Sequence, residues 1–288
     1  MTQFVIGIGS QRAGSTLLHK LLEKTTTVYM NPVKELHYFD TLYKIRTEKT
    51  LKNFSKRQLE HEINRLVRAS NFDFIDKRYK NLLRTSLLLS THPVEQLNYI
   101  DLFRPCVAEN GILGEITPEY MILPKEGVIK MRETVGSDAK IILLARNPVK
   151  RFISAFKLLM SGLPAADMDK FEENILSMLE SNGEWLKIQD ALNDYQQALK
   201  NYQEVFDNVL LLSYDGLFGD AEKTANTLAD FLGIAVDLPK YQQVIATKVN
   251  ALEETKTLSD ETVSILTTRY ASHQAYLDKI FGQGACHA

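Results

Sequence analysis

One loop near the start of this sequence combines glycines, hydroxyls and an arginine in a pattern that could bind phosphate. Residues 9–16 read Gly-Ser-Gln-Arg-Ala-Gly-Ser-Thr, the G-x-x-x-x-G-x-T frame of a phosphate loop between a strand and a helix. The backbone N–H groups of such a loop, and of the first helical turn behind it, bind anions. We expect an anion to be held by neighbouring residues of this loop, namely Arg12, Ala13, Gly14, Ser15 and Thr16.

The position after the second glycine indicates which kind of phosphate this loop binds. In nucleoside triphosphatases that position is a lysine that reaches the β- and γ-phosphates, and the next residue binds Mg²⁺ through a hydroxyl. Here the position is Ser15, and the positive charge lies earlier, at Arg12. This favours a phosphate ester other than a Mg²⁺-bound triphosphate. A kinase or NTPase with a displaced lysine, or a glycine-rich turn with no ligand, would give a similar pattern.

A second arginine follows a later apolar run. Residues 140–145 read Lys-Ile-Ile-Leu-Leu-Ala, and Arg146-Asn-Pro ends this predicted strand before a helical segment over 149–160. An arginine at the carboxyl end of a strand can present its planar guanidinium to a phosphate. Ser154 lies about two turns into the following helix. Arg146 and Ser154 are therefore candidate ligands of a phosphate, although such a pair is common in proteins.

These residues need a sheet and helices to position them, and the sequence predicts both. Short apolar runs typical of buried parallel strands, each followed by a segment with helical periodicity, occur at 4–9, 140–145 and 209–214. Alternation of this kind indicates βαβ units. We therefore predict an α/β fold in a single domain over 1–288, with a P-loop-like central parallel β-sheet flanked by helices. Residues 44–104 are polar and basic with helical spacing, and we expect them to cover a substrate cleft.

Length and composition exclude several classes of protein. The chain has 288 residues, 44% hydrophobic and 24% charged, as in ordinary globular domains, and no stretch approaches the ~20 apolar residues of a membrane span. The first residues lack the basic and apolar regions of a signal peptide. Cys106 and Cys286 form neither a metal-spaced pair nor a disulfide framework. We expect a cytoplasmic protein without integral membrane association and without a bound metal.

Charge is distributed unevenly along the chain. Residues 1–159 contain 25 Lys and Arg against 16 Asp and Glu, whereas residues 160–288 contain 9 against 20, which together give the net charge of −2. A basic half in a nearly neutral protein is typical of one that binds a polyanionic ligand. An acidic solvated face on a helical second half would give the same numbers.

Together, the two arginine motifs resemble those of sulfotransferases that use 3′-phosphoadenosine-5′-phosphosulfate (PAPS). The run G-x-x-R-x-G-S-T-L-L from Gly9 resembles their 5′-phosphosulfate loop, and R-N-P-x-x-R with a serine eight residues after the first arginine resembles their 3′-phosphate motif. The resemblance implies PAPS as a co-substrate, with no metal. It places Arg12 and the loop amides at the 5′-phosphosulfate, and Arg146 and Ser154 at the 3′-phosphate.

The segment Asn-Pro-Val-Lys-Glu-Leu-His-Tyr-Phe-Asp, after the first predicted helix, is similar to the K-E-x-H-x-F segment of heparan-type sulfotransferases. There the glutamate is the general base, which implies this role for Glu35. The neighbouring rings of Tyr38 and Phe39 could raise the pKa of that carboxyl towards the range a base needs. Lys34 would oppose this shift unless it points at the cofactor. His37, with an ordinary pKa near ~6.5, is the rival base.

Two further segments resemble the family less closely. Gly-Glu-Ile-Thr-Pro-Glu-Tyr, over 114–120, is similar to the family's G-E-K-S/T-P-x-Y segment, but Ile116 replaces a lysine that faces the active site in relatives. The role of that lysine is absent here or supplied by another residue, for which Lys34 is the nearest candidate. Residues 247–250 resemble the loop that folds over the nucleotide, which makes Lys248 a candidate cofactor ligand.

These observations predict an enzyme, a sulfotransferase that moves a sulfuryl group from PAPS to a hydroxyl of a carbohydrate or small molecule. The expected step is an in-line displacement with a glutamate base. We expect no nucleic-acid partner, and the sequence carries no signal for the oligomeric state. A P-loop kinase or NTPase acting on a small molecule, and a binding module without turnover, remain as alternatives.

Overall fold

The computed structural model describes residues 2–108, 111–162, 168–247 and 258–282. The strands are β1 Gln3–Gly9, β2 Tyr29–Met30, β3 Ile112–Ile116, β4 Lys140–Ala145 and β5 Val209–Ser213. They form one sheet in the order β2-β3-β1-β4-β5. Every neighbouring pair is parallel, so all five carboxyl ends lie at the same edge of the sheet.

Helices occupy most of the rest of the described chain. Their bounds are α1 Ser15–Thr25, α2 Tyr38–Leu42, α3 Glu48–Arg68, α4 Lys77–Thr91, α5 Lys125–Val135, α6 Pro148–Ser161, α7 Phe171–Ser181, α8 Glu184–Ala191, α9 Tyr195–Gln203, α10 Gly216–Gly219, α11 Ala221–Leu232, α12 Leu238–Ala246, α13 Asp260–Arg269 and α14 Ala271–Phe281. Short 3₁₀ turns join several of them, including one at Pro118–Ile122 directly after β3. None of the helices in these described ranges is long and apolar enough to cross a membrane.

The central strands are buried on both faces of the sheet. Ile6 and Ile141 pack into one hydrophobic cluster, whereas Val5 and Ile142 pack into a second cluster on the opposite face. Continuous apolar runs are the sequence pattern expected of parallel strands covered by helices on both sides. The prediction of an α/β fold with a central parallel sheet flanked by helices in a single domain is confirmed.

Two of the five strands were not predicted. β2 has only two residues, and β3 contains Gly114 and Glu115, so neither has the continuous apolar run of the other strands. Gly114 is required by packing, because a Cβ there would collide with the sulfur of Met30 in β2. The side chains of Met30 and Val28 occupy the space beside Gly114, so close packing against a glycine, rather than a continuous apolar run, marks this edge of the sheet.

Residues 44–104 are largely helical in the structure. α3 and α4 pack against each other, and of the 21 residues of α3 only Leu51 and Ser55 are buried. The position of these helices over an acceptor cleft stays a prediction. Lys248 and Cys286 lie outside the described residues.

Candidate functional site

The loop between β1 and α1 has the shape of an anion cradle at the carboxyl edge of the sheet. Gly14 has a φ of 94°, a region that side chains disfavour, and a Cβ there would lie 2.8 Å from the ring of Tyr214. Both constraints require glycine at this position. Ser15 then begins α1, so the first turn of the helix directs its free N–H groups into the loop. Ala13, also predicted as a ligand, is fully buried in the core below the loop, and its N–H donates to the carbonyl oxygen of Ser10 at 3.2 Å.

The two predicted phosphate motifs meet in space. Arg12 Nε donates a hydrogen bond to Ser154 Oγ at 2.9 Å, and Arg146 Nη1 donates to the carbonyl oxygen of Arg12 at 2.8 Å. The guanidinium of Arg146 also lies 4.5 Å from the centre of the Tyr214 ring. Burial lowers the pKa of Arg12, and the nearby charge of Arg146 lowers it further. Two guanidinium groups held together against neutral partners favour the binding of an anion.

A cavity of about 160 Å³ opens where these groups converge. Its lining brings together most of the residues that the sequence predicts for the site, namely Arg12, Gly14, Ser15, Thr16, Glu35 and Arg146. Tyr214 and Phe218, neither of which was predicted as a site residue, line it as well. Both follow β5, and their rings contact each other edge to face with centres 5.2 Å apart. Aromatic surface beside an anion cradle suits a ligand with both a flat ring and phosphates.

Glu35 stands at the edge of this cavity between two positive groups. Lys34 Nζ lies 2.6 Å from its Oε1, and His37 Nε2 lies 3.3 Å from its Oε2. Burial by itself raises the pKa of Glu35, but the hydrogen bond from His37 and the charge of Lys34 outweigh burial and lower the pKa to about 2. The expectation that Tyr38 and Phe39 raise this pKa is therefore wrong for the protein without ligands. The two rings pack against each other and against further core aromatics.

His37 lies buried among carboxylates. Its Nδ1 is 2.8 Å from Asp40 Oδ2 and 3.8 Å from Glu119 Oε2, and its Nε2 faces Glu35. Burial lowers its pKa, but hydrogen bonds to Asp40 and Glu35 prevail and raise the pKa to about 9. An imidazole that is protonated near neutral pH has no free nitrogen to accept a proton. The geometry therefore disfavours His37 as the rival base.

Four residues of this network, three of them charged, were missed by the sequence reasoning. Asp40 is fully buried, Arg46 lies 3.5 Å from it and 3.4 Å from Glu119, and Gln11 of the phosphate loop donates to Glu119 at 3.4 Å. Their separation of up to 108 positions hides the cluster in the sequence. The only available signal was an acidic residue within largely apolar segments, and a solvated side chain gives the same pattern.

The same cluster has the composition of a possible metal site. Ligand atoms of Glu35, His37 and Glu119 lie within 4.8 Å of one another. However, Lys34 and Arg46 already pair with the two carboxylates, and His37 is protonated. A cation would have to displace these charges, so we interpret the cluster as an ion-pair network.

The segment in which Ile116 replaces the family lysine has a structural role. Ile116 is buried in the core, and its side chain fills the space that a Cβ at Gly7 would need. Glu115, one residue earlier, faces the opposite side. It is fully enclosed, and burial raises its pKa, while it accepts hydrogen bonds from Thr117, Tyr120 and Tyr99. These residues build the wall behind the site and do not line the cavity.

Fold and site thus define an α/β phosphate-loop protein with a cleft for an anionic ligand. The chain matches the sequence profile described as "Sulfotransferase family" over residues 4–238, so it belongs to that family. Sulfotransferases are transferases, and membership identifies the chain as an enzyme of sulfuryl transfer in general. No curated protein matches this chain significantly.

Three solved sulfotransferase structures are similar to this chain. A sulfotransferase from Alicyclobacillus acidocaldarius is 19% identical with a TM-score of 0.59, and the alignment covers 97% of this chain and 95% of that one. The sulfotransferase domain from the curacin biosynthetic pathway is 15% identical with a TM-score of 0.47, over 94% and 98% of the two chains. Sulfotransferase STF9 from Mycobacterium avium is 13% identical with a TM-score of 0.47, over 96% and 76%. The structure from Alicyclobacillus acidocaldarius, at 19% identity, shows a shared fold and no more.

Proposed function

We propose that this enzyme transfers a sulfuryl group from PAPS to a hydroxyl of a saccharide or small molecule, releasing adenosine 3′,5′-bisphosphate. The observation that carries the proposal is that Arg12 and Arg146 line one cavity and that Arg12 also donates a hydrogen bond to Ser154. PAPS carries phosphate at the 3′ and at the 5′ position of its ribose. The first motif provides Arg12 for one of these positions, and the second motif provides Arg146 for the other. A nucleoside triphosphate would instead need a lysine where Ser15 stands.

At the 5′ end, Arg12 and the N–H groups of Gly14, Ser15 and Thr16 bind the phosphosulfate. These donors are fixed before the ligand arrives, so they stabilise charge that develops on the departing phosphate. Cations and amides can perform this task without a metal. At the 3′ end, Arg146 and Ser154 bind the phosphate that distinguishes PAPS from other adenine nucleotides.

Glu35 is the general base of this proposal. As the hydroxyl oxygen attacks sulfur, the bond from sulfur to the phosphate oxygen breaks, and the hydroxyl proton passes to Glu35. A carboxyl with a pKa of about 2 has little affinity for a proton, and its close contact with Lys34 is one cause of this. We infer that the donor's phosphosulfate draws Lys34 away. Loss of that neighbouring charge raises the pKa of Glu35 only once the donor is bound.

Residues 34–84 contain 13 Lys and Arg against 7 Asp and Glu, which suits an acceptor that carries negative charge. Helix α3, which holds many of these side chains, exposes most of its residues, whereas α4 exposes a smaller share. We therefore extend the proposal to an acceptor cleft beside these helices.

Calorimetric titration tests the cofactor. Adenosine 3′,5′-bisphosphate should bind without metal, and ATP with Mg²⁺ should bind far more weakly. Arg146→Ala should lose this binding, whereas Arg132→Ala, an exposed arginine on α5, should retain it. Binding of ATP with Mg²⁺ in place of the bisphosphate would support a kinase or NTPase and contradict the proposal.

A further inference from the structure

The ring of His37 joins two groups of charges. On its Nε2 side stands Glu35, whose Oε1 is paired with Lys34. On its Nδ1 side stand Asp40 and Glu119. The ring therefore connects the proposed base, at the edge of the cavity, to a second layer of carboxylates behind it.

Glu119 has an unusual position in this second layer. It lies on the 3₁₀ turn after β3, with its side chain only 12% exposed. Its Oε1 accepts hydrogen bonds from Gln11 and Arg46, each at 3.4 Å. Its Oε2 is buried and has no hydrogen-bond partner among the described residues, and it lies 3.8 Å from His37 Nδ1. A buried carboxylate oxygen without a hydrogen bond is costly unless a neighbouring positive charge compensates it.

The backbone next to Glu35, the proposed base, is held by the same 3₁₀ turn after β3. Glu35 and His37 have φ values of 67° and 51°, in the left-handed region that residues other than glycine disfavour. The N–H of His37 donates to Thr117 Oγ1 at 3.4 Å, and the next N–H in the chain donates to the hydroxyl of Tyr120 at 3.0 Å. Such backbone strain persists only where the surroundings fix it, and it is typical of functional sites. Residues 117–120 thus hold the backbone at His37, and Glu119 places a negative charge 3.8 Å from the Nδ1 that Asp40 contacts at 2.8 Å.

We propose that Glu119 is a positioning residue for Glu35, acting through the ring of His37. The inference rests on the proposed role of Glu35 as the base. Negative charge on the Nδ1 side keeps the ring protonated on both nitrogens and fixes its rotation. The Nε2–H then holds Oε2 of Glu35, which leaves Oε1, the oxygen beside Lys34, to take the proton of the acceptor hydroxyl.

The charged groups around His37 allow two substitutions that should shift its pKa in opposite directions. Glu35, Asp40 and Glu119 face the ring, Arg46 joins the last two, and Glu115 lies behind them. Glu119→Gln keeps the shape of the side chain but removes one negative charge, so it should lower the pKa of His37. Arg46→Gln removes a competing positive charge, so it should raise this pKa. A charge at such a distance shifts a pKa by about one to three units.

NMR titration of the imidazole in the full chain measures these shifts, with the signal assigned through His37→Gln. Relative to the wild-type pKa of about 9, Glu119→Gln should titrate at least about one unit lower and Arg46→Gln higher. Glu119→Asp, which restores the charge, should recover part of the shift. Glu126→Gln, on an exposed carboxylate of α5, should leave it unchanged. An unchanged titration in Glu119→Gln, or shifts of the same sign in Glu119→Gln and Arg46→Gln, would overturn the proposal.

A second signal reports on Glu35 itself. The Nε2–H proton of His37 should resonate far downfield in the wild type at pH 8 because it is bonded to a carboxylate, and it should be lost in Glu35→Gln. Glu119→Gln should weaken or abolish it, and persistence unchanged would contradict the positioning role. Affinity for adenosine 3′,5′-bisphosphate should stay equal in the wild type and Glu119→Gln. If the wild type itself fails to bind the bisphosphate, the proposed function fails, while the titration still decides whether Glu119 acts on His37.

Discussion

Arg12 and Ser154, separated by 142 positions in the sequence, are joined by a hydrogen bond of 2.9 Å. The contact connects the loop after β1 to the helix after β4, two strands that are neighbours in the sheet. Adjacent parallel strands bring the segments at their carboxyl ends together, which is where ligands bind in open α/β sheets. Sheet order therefore brings two distant motifs together at one place, the proposed anion site.

The contact between Arg12 and Ser154 predicts the effect of a small substitution. Ser154→Ala removes the acceptor of the Arg12 Nε–H and a candidate phosphate ligand, so the affinity for adenosine 3′,5′-bisphosphate should fall roughly 5- to 20-fold, the effect of about 1–2 kcal/mol. Calorimetry measures this change. Ser161→Ala, at the exposed end of the same helix, should bind as the wild type does. Equal loss in both variants would mean that α6, and not the hydroxyl, is responsible.

Replacement of the proposed base should affect turnover but not binding. Glu35→Gln should lower kcat by roughly 10²–10⁴, because an amide cannot accept the hydroxyl proton, and it should leave the bisphosphate affinity nearly unchanged. Steady-state kinetics with PAPS and an active acceptor measures the first effect. A Glu35→Gln enzyme with full activity would exclude Glu35 from this role.

Stability should depend on pH through His37. Its pKa is raised to about 9 in the fold from an ordinary value of 6.5. The imidazolium therefore stabilises the fold fully below about pH 6.5, and this contribution, on the order of 2–3 kcal/mol, is lost as the pH rises through 9. Urea unfolding at pH 6.5 and pH 9.5 should show the decrease in the free energy of unfolding. The decrease should be smaller in His37→Gln, and an equal decrease in both proteins would refute the assignment.

Gly14 should be intolerant of substitution. Gly14→Ala places a Cβ at a φ of 94° and against the Tyr214 ring, so it should lower the free energy of unfolding by about 1–3 kcal/mol and weaken bisphosphate binding. Gly219→Ala is the matched control, because a Cβ there meets no atom within 4 Å. Thermal unfolding compares the two. Equal melting temperatures for both variants would show that the loop adapts to a side chain.

The sequence predicted the parts of the fold that depend on local pattern. Residues 140–145 form β4 as expected, because a continuous apolar run is distinctive. Helix α11 likewise spans Ala221–Leu232 and ends before Gly233, whose φ of 71° allows the turn that closes it. β3 was missed because its glycine and glutamate are explained by contacts with β2 and with buried tyrosines, which no local pattern records.

The candidate site was predictable only in part. The arginine and glycine motifs are local, so their residues could be named before the cavity was known. The direction of the pKa shift of Glu35 was missed, because it depends on how closely Lys34 and His37, its neighbours in the chain, approach the carboxylate in the fold. Burial raises that pKa as the sequence suggested, but nearby positive charges reverse the outcome. Electrostatics of this kind depends on distances that only the assembled fold sets.

The preference for a nucleotide with a 3′-phosphate over one without it is the most direct test of PAPS as the donor. Calorimetry should give the affinities of adenosine 3′,5′-bisphosphate and adenosine 5′-phosphate for the wild type and for Arg146→Ala. We predict that the wild type binds the bisphosphate at least about 10-fold more tightly than adenosine 5′-phosphate, since a charge-assisted hydrogen bond contributes about 1.5–3 kcal/mol. In Arg146→Ala, the ratio of the two affinities should fall to near one. The ratio corrects for any effect of Arg146 on the loop through the Arg12 carbonyl. Equal binding of both nucleotides by the wild type, or an affinity ratio that is unchanged in Arg146→Ala, would contradict the proposal that this site binds PAPS as the sulfuryl donor.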